Sequence, residues 1–268
     1  MDVLLSNDDG IRAMGLRALY QALREAGHTV TVVAPMRQQS GVGHSLTVFE
    51  PLRAMEFVEE DFTGLGIYGT PTDCVKLALG NLLKKKPDLV MSGINLGPNV
   101  GPDILYSGTV GAATEAALED LPSMAISYDD FRPASDLLPQ ARHAVALAER
   151  INWKQVPKRR VINVNYPSCP VEEAKGLRVC PQTTAVWKNV YTERKDPRKS
   201  PYWWLEGEIP PHTINAGSDK DLLNRGYITI TPLRFEFTDM ECMAELEKMD
   251  LEKEGYIARL DFWRAMPI

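Results

Sequence analysis

The chain predicts an α/β fold: a mostly parallel sheet flanked by helices, with a protruding β-rich arm in its C-terminal part. Three observations predict it. Short apolar runs of strand length alternate with helical patterns up to about residue 166. Strands separated by helices of that length imply right-handed crossovers and parallel neighbours. Residues 183–215 then lose helical periodicity and concentrate Trp, Tyr, Pro and charge, including Trp187, Tyr191, Tyr202, Trp203 and Trp204.

Taken in order, Val3-Leu4-Leu5 is a short buried-strand run that stops at a polar turn. Residues 12–26 carry Leu16, Leu19, Tyr20 and Leu23 at helical spacing, with Gly27 as a stop. Thr29 to Val33 is a second strand, ended by Ala34-Pro35. Residues 72–84 give a helix with Val75, Leu77, Leu79, Leu82 and Leu83, closed by three lysines. Asp88 to Met91 is a further buried strand, Gly111 to Leu118 a helix of small residues, and Met124 to Ser127 a strand after Pro122. A helix over 136–150, a strand over Val161–Tyr166, a late strand from Gly226 to Thr231 and a helix over 238–249 complete the pattern. Residues 1–180 are expected to form the Rossmann-like α/β core. Residues 181–268 are expected to form the arm plus a late strand and helix returning to that core, in a single-domain protein. Exposed aromatic ribbons usually require a partner surface, so the arm is expected to serve oligomerisation.

Hydrophobic residues make up 44% and charged residues 25% of 268 positions, an ordinary balance for a soluble globular chain. A net charge of −6 argues against general binding of nucleic-acid polymers, although a small phosphate needs only a local cluster of donors. No apolar run is long enough to cross a bilayer, and no basic-then-apolar leader opens the chain. Cys74, Cys169, Cys180 and Cys242 lack paired spacing, which suggests neither a disulfide framework nor a zinc site. The expected setting is the reducing cytoplasm, without membrane association.

In parallel sheets ligands bind outside the carboxyl ends of the strands, which directs attention to four post-strand segments. Ser6-Asn7-Asp8-Asp9-Gly10 follows the first strand. Two adjacent carboxylates repel by about 4 kcal/mol at ~4 Å and an effective dielectric near ~20, and a hard cation relieves that conflict. Asp-Gly is also an ordinary turn dipeptide. The position after a buried strand favours the cation. Ser92 to Gly101 follows the strand ending at Met91 and reads as an irregular loop running to about residue 107, where long loops tend to be functional. Its Asn95 and Asn99 bring amide oxygens suited to hard cations. Tyr106 to Ala113 opens a helix whose free N–H groups favour phosphate. Ser107 and Thr109 add hydroxyls there, and Gly108 allows close approach. A Ser or Thr N-cap before small residues is, equally, ordinary helix chemistry. Arg37 to Ser45 contributes Ser40 as an oxygen ligand and His44, which either shuttles protons or is structural. Together the four segments describe a metal-assisted phosphate site.

These segments, in this order, resemble the survival-protein SurE family of 5′-nucleotidases. The matching stretches are Ser6–Gly10, Gly43–Ser45, Gly69–Lys76, Ser92–Gly101 and Ser107–Val110, with the Trp187–Trp204 ribbon and Gly226–Leu233 later. The resemblance implies a Rossmann-like core with an arm exchanged or packed between subunits of a homodimer or homotetramer. It implies hydrolysis of nucleoside 5′- and 3′-monophosphates, with exopolyphosphatase activity in some members, and one divalent cation per subunit, Mg²⁺ or Mn²⁺. By position, Asp8, Asp9, Ser40 and Asn95 would hold the cation, and Asn99, Ser107, Gly108 and Thr109 would line the phosphate pocket. Asp8 or Asp9 would orient the attacking water or take its proton.

Two departures stand out. Arg234 occupies the place of a His in many members, where an Arg could hold phosphate but not act as a general acid or base near neutral pH. Ala116 stands where Gly is common, a change of little expected effect. Two other readings stay open on sequence alone: a phosphatase that passes through an aspartyl phosphate at Asp8, and a non-catalytic metal- or nucleotide-binding regulatory module. Tyr106 is near enough in sequence to face a base, and core packing explains it equally well.

Overall fold

The first strand, β1 (Asp2–Ser6), is short because only Val3, Leu4 and Leu5 precede the polar turn, and all three are buried. The computed structural model describes residues 1–132, 136–249 and 251. The chain forms two compact units, Met1–Arg234 and Phe235–Ile268. Helix α1 (Met14–Glu25) follows, burying Leu16, Leu19 and Leu23 on one face as the periodicity requires. Strand β2 (Thr29–Pro35) sends its last four residues into the core.

An antiparallel hairpin absent from the sequence reading comes next, β3 (Arg53–Glu59) and β4 (Phe62–Tyr68). Helix α2 (Pro71–Leu77) opens on a capping box at Thr70 and Asp73. The helix expected over 72–84 is therefore shorter. After Leu77 the chain widens into a π-type turn at Ala78–Leu82, where Gly80 and Asn81 are weak helix formers.

Strand β5 (Leu89–Leu96) runs five residues past its expected end at Met91. Its pairing shifts register between Ser92 and Asn95. Gly93 permits this, with φ +140° and a place where any Cβ would stand 2.3 Å from the carbonyl oxygen of Ile126. Helix α3 (Gly108–Leu118) starts three residues earlier than the small-residue pattern suggested, because Ser107 caps it. Strand β6 (Ser123–Tyr128), helix α4 (Leu138–Arg150) and strand β7 (Arg160–Tyr166) fall where expected.

A three-residue strand β8 (Leu177–Val179) precedes the arm, which is the two-stranded antiparallel ribbon of β9 (Lys188–Lys195) and β10 (Pro201–Glu208). Every residue of β10 is exposed. A six-residue helix α5 (Asp219–Asn224) leads to β11 (Ile228–Arg234). The second unit contains helix α6 (Met240–Glu247), N-capped by Asp239. Residues 252–268, part of the C-terminal segment delimited from the sequence, lie outside the described residues. Among the described residues no helix is long and apolar enough to cross a membrane.

The main sheet has nine strands in the order β3-β4-β2-β1-β5-β6-β7-β11-β8. The six strands β4-β2-β1-β5-β6-β7 are mutually parallel. Their order of appearance reverses between β1 and β5, which is the switch point where doubly wound sheets place their ligands. One apolar cluster on each face of the sheet follows from strand alternation: Leu5, Met91 and Ile126 join α1 and α4, while Leu4 and Val90 join α2 and α3. Strand β11 pairs antiparallel with β7, Thr229 opposite Asn165 and Arg234 opposite Arg160.

Candidate active site

At the switch point the chain leaving β1 must turn at once, and Asn7 folds that turn. Its side-chain amide donates to the Gly10 carbonyl, and its Oδ1 accepts the Gly10 N–H. The turn presents Asp8 and Asp9 on the carboxyl edge. Asp8 is buried, 4% exposed. It receives the Thr109 hydroxyl from the first turn of α3. Burial pushes its carboxyl up to about 6, against the pull of the Thr109 bond and with a further upward push from Asp9. Asp9 is more open and accepts the Leu96 N–H at 3.3 Å and the Gln38 amide at 3.2 Å. Burial raises its carboxyl too. Two neighbouring acids both pushed toward neutrality are an electrostatic conflict that a bound cation would remove.

The segment after β2 supplies Ser40, whose Oγ accepts from the same Gln38 amide at 3.0 Å. Asn95 is not in a loop, as the sequence suggested, but on the extended end of β5. Its Nδ2 donates to the Gly97 carbonyl at 2.7 Å. That leaves its Oδ1 as the acceptor available to a ligand. Asn99 is held from below. Its N–H donates to Asn165 Oδ1, and its carbonyl accepts from Asn163 and Asn165, each at 2.8–3.0 Å. Its own amide donates to Ser127. Ser107 Oγ accepts the Val110 N–H, and its hydroxyl hydrogen remains available.

Asp8, Asp9, Ser40, Asn95, Asn99 and Ser107 line one pocket of about 370 Å³. Gly108 and Thr109 stand behind it, and both are fully buried. The structure spends Thr109's hydroxyl on Asp8. A Cβ on Gly108 would come within 2.8 Å of Asp8 Cβ. Gln38 and Asp103, inside candidate segments but not singled out from sequence, and Phe131, outside them, also line the pocket with Tyr106. Asp103 accepts the Trp187 indole N–H at 2.6 Å, which ties the base of the arm to the pocket rim. Buried Asp219 accepts the N–H groups of Gly101 and Thr183 and joins the same two segments.

His44 lies outside this lining. Its Nε2 meets Glu115 at 2.9 Å, and Lys76 meets the other carboxylate oxygen at 2.6 Å. Its role here is to anchor its loop to α3. Arg234 sits opposite Arg160, at the start of β7 and so at the amino edge of the sheet. The phosphate-holding role considered for it within the subunit is thereby corrected: the pocket opens at the other edge. A larger groove of about 870 Å³ between α1 and the β3–β4 hairpin is lined by charges that pair within the subunit, among them Arg17 with Glu59.

Two carboxylates, a hydroxyl and an amide oxygen are hard donors that suit a small divalent cation with water completing its shell. Among the described residues no group of three or more His, Cys, Asp and Glu offers a softer metal site. Fold and pocket thus define a class: a doubly wound α/β protein with a polar pocket at its switch point whose donors suit a small divalent cation. The model of the survival protein SurE family matches residues 3–189. A protein named 5′-nucleotidase SurE from Desulfovibrio desulfuricans is 74% identical over 94% of this chain and 100% of its own length. Its namesake from Nitratidesulfovibrio vulgaris strain Miyazaki F is 60% identical over 95% of this chain and 94% of its own. The crystal structure of the SurE protein from Aquifex aeolicus superposes with TM-score 0.80 at 37% identity, covering 92% of this chain and 99% of that one. The chain belongs to the SurE family.

Proposed function

We propose that the chain is a 5′-nucleotidase that hydrolyses nucleoside 5′-monophosphates to nucleoside and phosphate with the help of one divalent cation, Mg²⁺ or Mn²⁺. Nucleoside 3′-monophosphates belong to the same reading. The observation that carries it is the convergence of Asp8, Asp9, Ser40, Asn95, Asn99 and Ser107, from four separate stretches of sequence, on one pocket at the switch point. Relatives covering nearly the whole chain bear the name 5′-nucleotidase.

Asp8, Asp9, Ser40 and Asn95 would hold the cation, which would supply neutralisation of the phosphoryl charge. The Ser107 hydroxyl and the Asn99 amide would bind phosphate oxygens. Both are fixed by other bonds before substrate arrives, so little reorganisation is needed. Asp9 is the more open acid and suits the role of orienting water and accepting its proton. Asp8, buried and bound by Thr109, suits holding the cation better than attacking phosphorus.

The test is phosphate release from a panel of nucleoside monophosphates in Mg²⁺, Mn²⁺ or EDTA, with wild type and Asp9→Asn. Release that needs the cation and falls at least about a hundredfold in the variant is expected, on the scale of lost acid–base catalysis. Release indifferent to EDTA, or an undiminished variant, overturns the proposal.

A further inference from the structure

The polar floor of the pocket accounts for a phosphate but not for the rest of a nucleotide. Its mouth carries two aromatic rings, Tyr106 and Phe131, on different connections. Tyr106 ends the 3₁₀ turn Gly101–Leu105, and Phe131 follows β6. Both rings are mostly open, at 67% and 74%, whereas Asp8 and Asn99 below them are 4% and 6% exposed.

Neither ring is spent on the core, and neither packs edge or face against another aromatic among the described contacts. The Tyr106 backbone is nevertheless fixed. The Tyr106 carbonyl accepts the Gly43 N–H at 2.9 Å, and the Tyr106 N–H donates to Asp103. The Phe131 ring lies directly over Gly97, where an added Cβ would stand 2.3 Å from its Cε1. A side chain at Gly97 would expel the ring from the pocket edge.

Open aromatic rings at the mouth of a pocket with a polar floor, one on an anchored backbone and one seated over Gly97, match the chemistry of base stacking, which tolerates any base because every base has a π-face. We propose that Tyr106 and Phe131 form the nucleobase subsite, selecting nucleotides over other phosphomonoesters and purines over pyrimidines by stacking area. This rests on the phosphomonoesterase reading above.

The test measures kcat/KM for AMP, CMP and ribose 5-phosphate, with Mg²⁺ or Mn²⁺, for wild type, Tyr106→Ala, Phe131→Ala and the double variant. Circular dichroism and light scattering check fold and assembly. Each stacked ring is expected to be worth about tenfold. Wild type should prefer AMP to ribose 5-phosphate by at least that factor, and the double variant should lose most of the preference. The ratio of AMP to CMP should shrink in the same variants. Tyr106→Phe and Phe131→Tyr, which keep a ring, should keep the ratio. A wild type that treats AMP and ribose 5-phosphate alike overturns the subsite while leaving the phosphatase intact. Variants that lower all three substrates equally, or change assembly without changing the ratios, also overturn it. A wild type that hydrolyses none of them overturns the phosphatase reading and this one with it.

Discussion

Single side chains around α3 separate catalysis from stability. Thr109 touches no pocket surface, yet its hydroxyl is what Asp8 accepts. Thr109→Val keeps the shape and removes the donor. A hydrogen bond to a charged group is worth about 1.5–3 kcal/mol, so kcat should fall roughly tenfold to a hundredfold with a smaller change in KM. Thr109→Ser should restore most of it, as steady-state kinetics on a nucleoside monophosphate would show. Glu115 works differently. His44 first, and Lys76 with it, hold its carboxyl below the usual range despite burial. A carboxylate whose folded pKa is depressed adds stability above its unfolded pKa and loses it as pH falls through the folded value. Glu115→Gln should therefore lower stability by about 1–2 kcal/mol near neutrality. The gap should close as pH drops below about 4.3, the ordinary Glu value. Thermal melts of both proteins between pH 7 and pH 3 check the sign.

At the scale of elements, the first turn of α3 and the turn after β1 are packed to one fit. Gly108 is the contact: an added Cβ would meet Asp8 Cβ at 2.8 Å and Pro71 Cγ at 2.9 Å. Gly108→Ala should cost about 1–3 kcal/mol of stability as overpacking, and phosphate release should drop far more because Asp8 must move. Gly80→Ala is the matched control, since nothing lies within 4 Å of its would-be Cβ. The same elements show what sequence can and cannot reveal. Helices α1 and α4 and strands β1, β2, β6 and β7 were legible because one apolar face or a buried run fixes their period. The β3–β4 hairpin was not. Almost all of β3 is exposed, so no apolar alternation marks it, and Gly64 and Gly66 thin the signal of β4 while packing on Val32 and Met36. Strand β8 and helix α5 are too short for any period. The candidate site was legible as motifs, since six of its eight residues share one pocket. Gln38 and Asp103 lay within candidate segments without being singled out, and Phe131 lay outside all of them, because what brings it there is the folded path of the connection after β6.

For the whole molecule the open question is what covers the arm. Trp203, Trp204 and Leu205 on β10, with Val190 and Tyr191 on β9, are each more than half exposed within the subunit. Apolar surface in that concentration favours a second copy of the chain, in keeping with the dimer or tetramer expected from the sequence. Replacing residues 188–208 by a short turn, with Trp187 retained on Asp103, should leave the melting of the core nearly unchanged and reduce the assembly to monomers. Light scattering on both proteins decides it, and an unchanged mass would assign the assembly to another surface.

The nine-stranded sheet also determines where this chain could be divided. The turn at Glu60 and Asp61 joins the two strands at the sheet's outer end, two and three positions from β1. A cut there separates Asp8, Asp9 and Ser40 from Asn95, Asn99 and Ser107. The pairings of β1 with β5 and of β2 with β4 would bridge the two fragments. Neither fragment alone carries a complete pocket. The molecule is thus a natural candidate for a split reporter, in which regained turnover signals that the two pieces have met.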